Sequence, residues 1–165
     1  MASFSATGDV ADYVLHNLNS LRAAGFDVVF VTTGAKISAA DLASLSKICV
    51  RVLRRENTGY DFGSWKAGLF EAGVDLKDFN QLLLTNDSYY GPLHPWLPVL
   101  AKANTDLYGI TDSYGIAYHL MSYFVLYNEE ILHSKQFSNY WQDVRMIPTF
   151  LKTLIIYTYE VGLSQ

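Results

Sequence analysis

Three consecutive leucines, Leu82, Leu83 and Leu84, run directly into Thr85, Asn86, Asp87 and Ser88. An apolar run this short, without alternation, predicts a strand buried on both faces that ends in a polar lip. In open α/β sheets ligands bind just beyond the carboxyl ends of such strands. Asn, Asp and Ser also favour simple turns, so the lip reads either as a turn or as a ligand site.

The pattern upstream alternates between helix and strand. Val10, Tyr13, Val14, Leu18 and Leu21 recur at helical spacing behind Asp9, a candidate cap, and Gly25 ends the segment. Residues 26–32 form the clearest strand of the first half, with Thr32, Thr33 and Gly34 as its polar exit. A short helix from Ser38 or Asp41 to Ser46 and a strand over 49–53 follow. This βαβ alternation predicts an α/β fold with a Rossmann-like, mixed but mostly parallel central sheet flanked by helices. A glycine-punctuated loop, residues 54–66, then enters a helix reaching about Ala72, with Asp61 as a candidate N-cap offering free N–H groups to an anion. Its glycine spacing matches neither a dinucleotide fingerprint nor a phosphate-binding P-loop.

After the leucine strand, Pro92, Pro95 and Pro98 precede a helix near Trp96. Residues 107–112 and 122–127 read as strands joined too tightly for a helical crossover, so antiparallel or irregular pairing is expected. Residues 129–144 read as a helix broken near Ser134, and 146–160 as a last helix. No repeat, linker or low-complexity tract interrupts a single domain.

Composition narrows the function classes. Half of the 165 residues are hydrophobic and 17% are charged, which excludes a disordered chain. A net charge of −4 argues against nucleic acid as a partner, because phosphate binding needs clustered Lys and Arg. The lone Cys49 allows no intrachain disulfide and suits a reducing cytoplasm. No apolar run approaches the ~20 residues of a membrane span, and the first residues lack the pattern of a signal peptide. A cytoplasmic protein is expected. The 12 Tyr, 9 Phe and 3 Trp suit sugar stacking as well as an ordinary core.

Three segments, residues 57–65 (NTGYDFGSW), 85–92 (TNDSYYGP) and 118–124 (YHLMSYF), together resemble the rhamnan synthesis F family. The opening residues 5–21 and the closing 159–165 are also similar to it. The resemblance implies a GT-A-like glycosyltransferase, with a nucleotide-sugar half over residues 1–88 and an acceptor half over 89–165. It further implies inverting transfer of rhamnose or a related deoxyhexose, with dTDP-rhamnose as donor. The acceptor would be a glycan or lipid-linked glycan precursor of a bacterial cell-surface polysaccharide. The work would take place in the cytoplasm, at the inner face of the membrane, through peripheral association. By the same resemblance the leucine strand corresponds to the one ending in the Asp-x-Asp metal site. Here that pair is Thr85 and Asp87, leaving Asp87 as the metal ligand for Mg²⁺ or Mn²⁺, with Asn86 and Ser88 as further oxygen donors. Asn57, Gly59 and Asp61 shape the loop against the nucleotide, and Lys66 neutralises diphosphate if it faces inward. Thr32 falls where base or ribose is read, and His119 is either a diphosphate or acceptor contact or a structural residue. Tyr114, Tyr118 and Tyr123 are candidates for a sugar pocket. Glu160 corresponds to the general base, with Asp112 as its substitute. Measured against that fold the chain reads as clipped at both ends. The second reading is a non-catalytic glycan- or nucleotide-binding module on the same fold.

Overall fold

The computed structural model describes residues 1–115, 117–148 and 151–164. Ile116, Thr149, Phe150 and Gln165, which fall within the expected ribbon link, last helix and closing segment, lie outside the described residues. The first half is built of β1 (Ala2–Ser5), α1 (Asp12–Ala23), β2 (Val29–Gly34), α2 (Ala39–Ile48), β3 (Arg51–Arg55) and α3 (Tyr60–Glu71). These strands form a parallel sheet in the order β1-β2-β3. The second half holds β4 (Gln81–Thr85), α4 (Leu97–Leu100), β5 (Leu107–Gly109), β6 (Asp112–Ser113), β7 (His119–Leu120) and β8 (Phe124–Asn128). Helices α5 (Glu129–Leu132), α6 (Lys135–Asp143) and α7 (Lys152–Ile155) follow, and the chain continues through a π-helical turn, Ile156–Glu160.

β4 and β5 both pair antiparallel with β8, and β6 and β7 form a separate small antiparallel ribbon. One parallel bridge, Ala2 with Asn86, joins the two halves, so strands run β3-β2-β1-β4-β8-β5 across the molecule. Across this order β1 to β5 run in one direction and only β8 runs against them, which is the mixed, mostly parallel arrangement expected. Antiparallel pairing enters with β8, because its link from β5 holds only the small β6–β7 ribbon and no helical crossover.

Alternation explains why helices cover both faces. Leu84, Val125 and Tyr127, with Leu82, pack among Phe62 and Trp65 of α3 and Phe137 and Trp141 of α6. Phe124 and Leu126, with Leu83, pack on the other face beside Val14, Leu18 and Leu21 of α1 and Leu45 of α2. The three leucines therefore do serve two faces, as their unbroken run predicts.

Several boundaries move for local reasons. α1 begins at Asp12 behind Ala11, with no side-chain cap, so Asp9 does not cap it. Ser38 caps α2 by accepting from Asp41 N, and Ser134 caps α6 by accepting from Phe137 N, splitting the 129–144 helix where expected. Asp61 is not the cap of α3. That position belongs to Gly59 (φ 73°), a left-handed conformation that glycine takes without strain. The last helix is shorter than its apolar pattern suggests, since Met146, Ile147 and Pro148 are not helical.

Candidate functional site

β1 and β4 are the strands at which connectivity reverses direction across the molecule, the position where α/β sheets open a crevice beyond their carboxyl ends. Three segments meet there: the end of β1, the lip after β4 and the start of α3. Asn86 forms their junction. Its Nδ2 donates to Asp61 Oδ2 at 2.8 Å, and its Oδ1 accepts from Ser88 N at 3.1 Å and Ser88 Oγ at 2.6 Å. The lip is thus a turn closed by an Asn side chain, and the same side chain also ties it to α3. Asp87 Oδ2 accepts from Ser3 Oγ at 2.6 Å and from Phe4 N at 3.3 Å, while Tyr13 OH donates to the Asp87 carbonyl at 3.0 Å.

The loop before α3 is held tightly. Arg55 donates to Ser64 Oγ at 3.2 Å and to both oxygens of Thr58. A Cβ at Gly63 would collide with the Thr58 carbonyl and the Arg55 guanidinium, so only glycine allows this approach. Gly59 N donates to Ile147 O at 2.7 Å, and Tyr60 follows with φ 48°, a conformation that a bulky residue adopts only under constraint. No side chain caps the start of α3, and Asp61 occupies its first turn.

Glu160 approaches from the other side. Its Oε1 accepts from Ser122 Oγ at 2.8 Å and Ser122 N at 3.4 Å. The Asp61 carboxyl is pushed above its usual value, chiefly by burial. The Asn86 hydrogen bond opposes that push, the charges of Asp87 and Glu160 add to it, and the Met1 ammonium opposes it.

Other expected residues are placed differently. Thr32 lies inside β2, two residues before its end, and is buried. Asn57 is half-buried in the turn before α3. His119 is buried in β7, its Nδ1 hydrogen-bonded to Ala117 O at 2.8 Å, and β7 packs on residues 162–164. Because a carbonyl only accepts, Nδ1 carries the proton there. Asp112 starts β6 instead of ending a strand at the lip, and it is exposed. Lys66 Nζ donates to the carbonyls of Gln142 at 2.5 Å and Val144 at 2.6 Å, so it serves the end of α6 instead of a diphosphate. Tyr114 and Tyr118 stand exposed on the β6–β7 ribbon with ring centroids 5.1 Å apart. Ser3, which holds Asp87, carries no periodic or motif signal, and Ser122, though inside the 118–124 motif, was given no role there because nothing local pairs it with Glu160.

The oxygens do not fit a preassembled metal centre. Asp87 Oδ2, Asn86 Oδ1 and Asp61 Oδ2 are all occupied by protein donors. Among the described residues no group of three His, Cys, Asp or Glu side chains is placed to hold an ion. The lip residues 86–88 also line no described cavity. A cavity of about 1090 Å³ lies instead toward the amino ends of the strands, between Phe26–Val29 and β4.

Comparison with known proteins now adds to this geometry. The chain is 32% identical over 125 residues to the virulence protein VirA of Vibrio anguillarum, covering 74% of this chain and 40% of that protein. It is 26% identical over 136 residues to the uncharacterized protein y4gN of Sinorhizobium fredii, covering 78% of this chain and 35% of that one. The chain therefore spans less than half the length of these relatives. No solved structure matches it. The sequence model of rhamnan synthesis protein F matches residues 28–165, which include the loop before α3, the lip and Glu160, and the chain belongs to the rhamnan synthesis protein F family.

Proposed function

We propose that the chain is a glycosyltransferase domain of GT-A type that acts in polysaccharide synthesis. It transfers rhamnose or a related deoxyhexose from a nucleotide-sugar, dTDP-rhamnose in the first instance, to a glycan or lipid-linked glycan precursor of a bacterial surface polymer. Residues 1–88 handle the donor and 89–165 the acceptor, at the inner face of the cytoplasmic membrane. Among the described residues no helix is long and apolar enough to cross a membrane, so this association is peripheral in the proposal. The observation that carries the reading is the meeting of Asp61, Asn86 and Asp87 at the strand-order reversal, with Glu160 within electrostatic reach.

In this reading the donor diphosphate lies along the start of α3, where Gly59 and Asn57 shape the loop and the uncapped helix end presents N–H dipoles to the leaving charge. Asn86, Asp87 and Ser88 hold the sugar side of the donor. Glu160, half-buried and oriented by Ser122, takes the proton from the acceptor hydroxyl as the anomeric carbon is attacked from the opposite face. Asp112 is too exposed to share that role efficiently, and Thr32 and His119, both buried, are given no substrate contact. No step is routed through a metal ion.

A second reading has its own support. Thr85 stands where a first carboxylate would be, and the Asp87 carboxylate is bound back onto β1. Both features suit a module that binds nucleotide or glycan without turnover. Calorimetric titration with dTDP, UDP and GDP, with and without Mn²⁺, tests the proposal. Binding of dTDP together with transfer that drops by roughly 10²–10⁴-fold in Glu160→Gln supports the enzyme. Binding without transfer selects the module, and failure of all three nucleotides to bind rejects the nucleotide-sugar reading.

A further inference from the structure

The lip has a second flank. On the α3 side Asn86 ties it to Asp61, and on the α1 side Tyr13 OH donates to the Asp87 carbonyl. The ring of Tyr13 lies 4.4 Å from that of Tyr90, centroid to centroid, at a tilt of 41°. Tyr90 is nonetheless 81% exposed, so most of its surface faces solvent.

This exposed ring is held in place. Before it, Tyr89 OH accepts from Asn17 Nδ2 at 2.8 Å and bonds Thr85 Oγ1 at 3.1 Å, and its ring packs on Trp96 and Tyr123. Beyond it, His16 Nε2 donates to the Pro92 carbonyl at 3.0 Å. Tyr90 is pinned on both sides, so stacking a ligand on it costs little conformational entropy.

The surroundings select the ligand's chemistry. An aromatic face is weakly negative and attracts the C–H face of a pyranose, while the sugar's hydroxyls need acceptors at the rim. Asp87 Oδ2 is held by Ser3 and Phe4, but no described residue donates to Oδ1. Burial, then the Asp87 charge and the Tyr90 phenol, raise the Tyr13 hydroxyl above its ordinary value, so these groups lie close together. No Asp, Glu, Lys or Arg occurs between Ser88 and Ala101, and Asp12 precedes Tyr13 in α1. That neutral-to-acidic rim suits an uncharged sugar and repels a phosphate-rich surface.

We propose that Tyr90, backed by Tyr13, is a stacking platform for a pyranose ring beside the lip, with Asp87 Oδ1 accepting a sugar hydroxyl. The acceptor glycan and the donor's sugar both offer the apolar face it takes. The inference rests on the saccharide chemistry of the proposed function and deepens it.

The test titrates the chain, Tyr90→Ala and Tyr90→Phe with a rhamnose oligosaccharide, dTDP-rhamnose and dTDP, and follows the tyrosine ring signals by NMR. Tyr90→Ala is expected to keep the denaturant midpoint and to weaken a saccharide probe roughly fivefold or more, with Tyr90→Phe within about twofold of the unchanged chain. The Tyr90 ring signals of the unchanged chain should move on titration, a readout independent of how the variants fold. Loss confined to the oligosaccharide assigns the platform to the acceptor, and loss for dTDP-rhamnose but not dTDP assigns it to the donor sugar. Equal saccharide binding by the unchanged chain and Tyr90→Ala overturns the proposal, as does binding of dTDP with neither saccharide adding affinity. Both results leave the nucleotide-binding reading standing, which only failure of dTDP itself removes. Leu93 is 89% exposed in the same loop. Association with phosphatidylglycerol vesicles that Leu93→Ser abolishes, without saccharide binding, overturns the proposal in favour of a bilayer contact.

Discussion

Asp61 carries a cost that its neighbours only partly relieve. Burial and the charges of Asp87 and Glu160 disfavour its ionised form, while the Asn86 amide favours it. With the folded-state value raised, its contribution to stability is fully present below the unfolded value of 3.8 and is lost as pH rises through the folded value. Asp61→Asn therefore should stabilise the protein at neutral pH, since Asn keeps an oxygen for Asn86 and removes the charge. Urea denaturation at pH 7 and pH 3.5 checks this, and a gain that persists undiminished at pH 3.5 contradicts it. The sequence singled out Asn86 and Asp87 by their place after an apolar strand, Asp61 by its place at a helix start, and Glu160 by the resemblance alone. It assigned Asp61 the wrong local duty, because a cap is the commonest use of an Asp at the start of a helix, whereas Gly59 holds that position.

At the scale of elements, the contact between α3 and α6 depends on a residue that composition alone marks as ordinary surface. Lys66 reaches from α3 to two carbonyls at the end of α6, where the helix dipole favours a cation. Lys66→Met keeps the aliphatic stem and deletes both bonds, and should destabilise by about 1–3 kcal/mol, read as a fall in the denaturant midpoint with an unchanged slope. A solvated lysine would shift stability by no more than about 0.5 kcal/mol. Beside this bond lies an aromatic contact in which Trp141, fully buried, meets Phe62 at 6.1 Å and Trp65 at 6.4 Å between centroids. The sequence placed helices over both segments, yet neither side chain's partner was legible, because pairing between helices on one face of the sheet depends on how the elements pack.

Across the whole molecule, the two halves share a strand bridge and common apolar cores, and the terminal amine is buried beside β2. In the chain beginning at Met1, burial lowers that amine from 8.0 to about 6. Its folded-state value is the lower one, so between about pH 6 and pH 8 the unfolded chain binds more protons and stability rises with pH. Two units correspond to about 2–3 kcal/mol, and blocking the amine by acetylation or an added residue should flatten the rise. Denaturation series at pH 6 and pH 8, with and without the block, decide it.

The linear order of apolar and polar residues determined the elements of the first half, the double-sided leucine strand, the antiparallel character of the second half and the break at Ser134. These follow from backbone periodicity, capping chemistry and link length, all of which act within a few residues. Only the tertiary structure decided that Asn86 links the lip to Asp61, that Ser3 and Ser122 hold Asp87 and Glu160, and that Thr32, His119 and Lys66 are buried or engaged elsewhere. The bonds of Ser3, Asn86 and Ser122 join residues 25 to 84 positions apart. Their geometry is set by which faces the sheet and helices present to one another, and no local pattern encodes that.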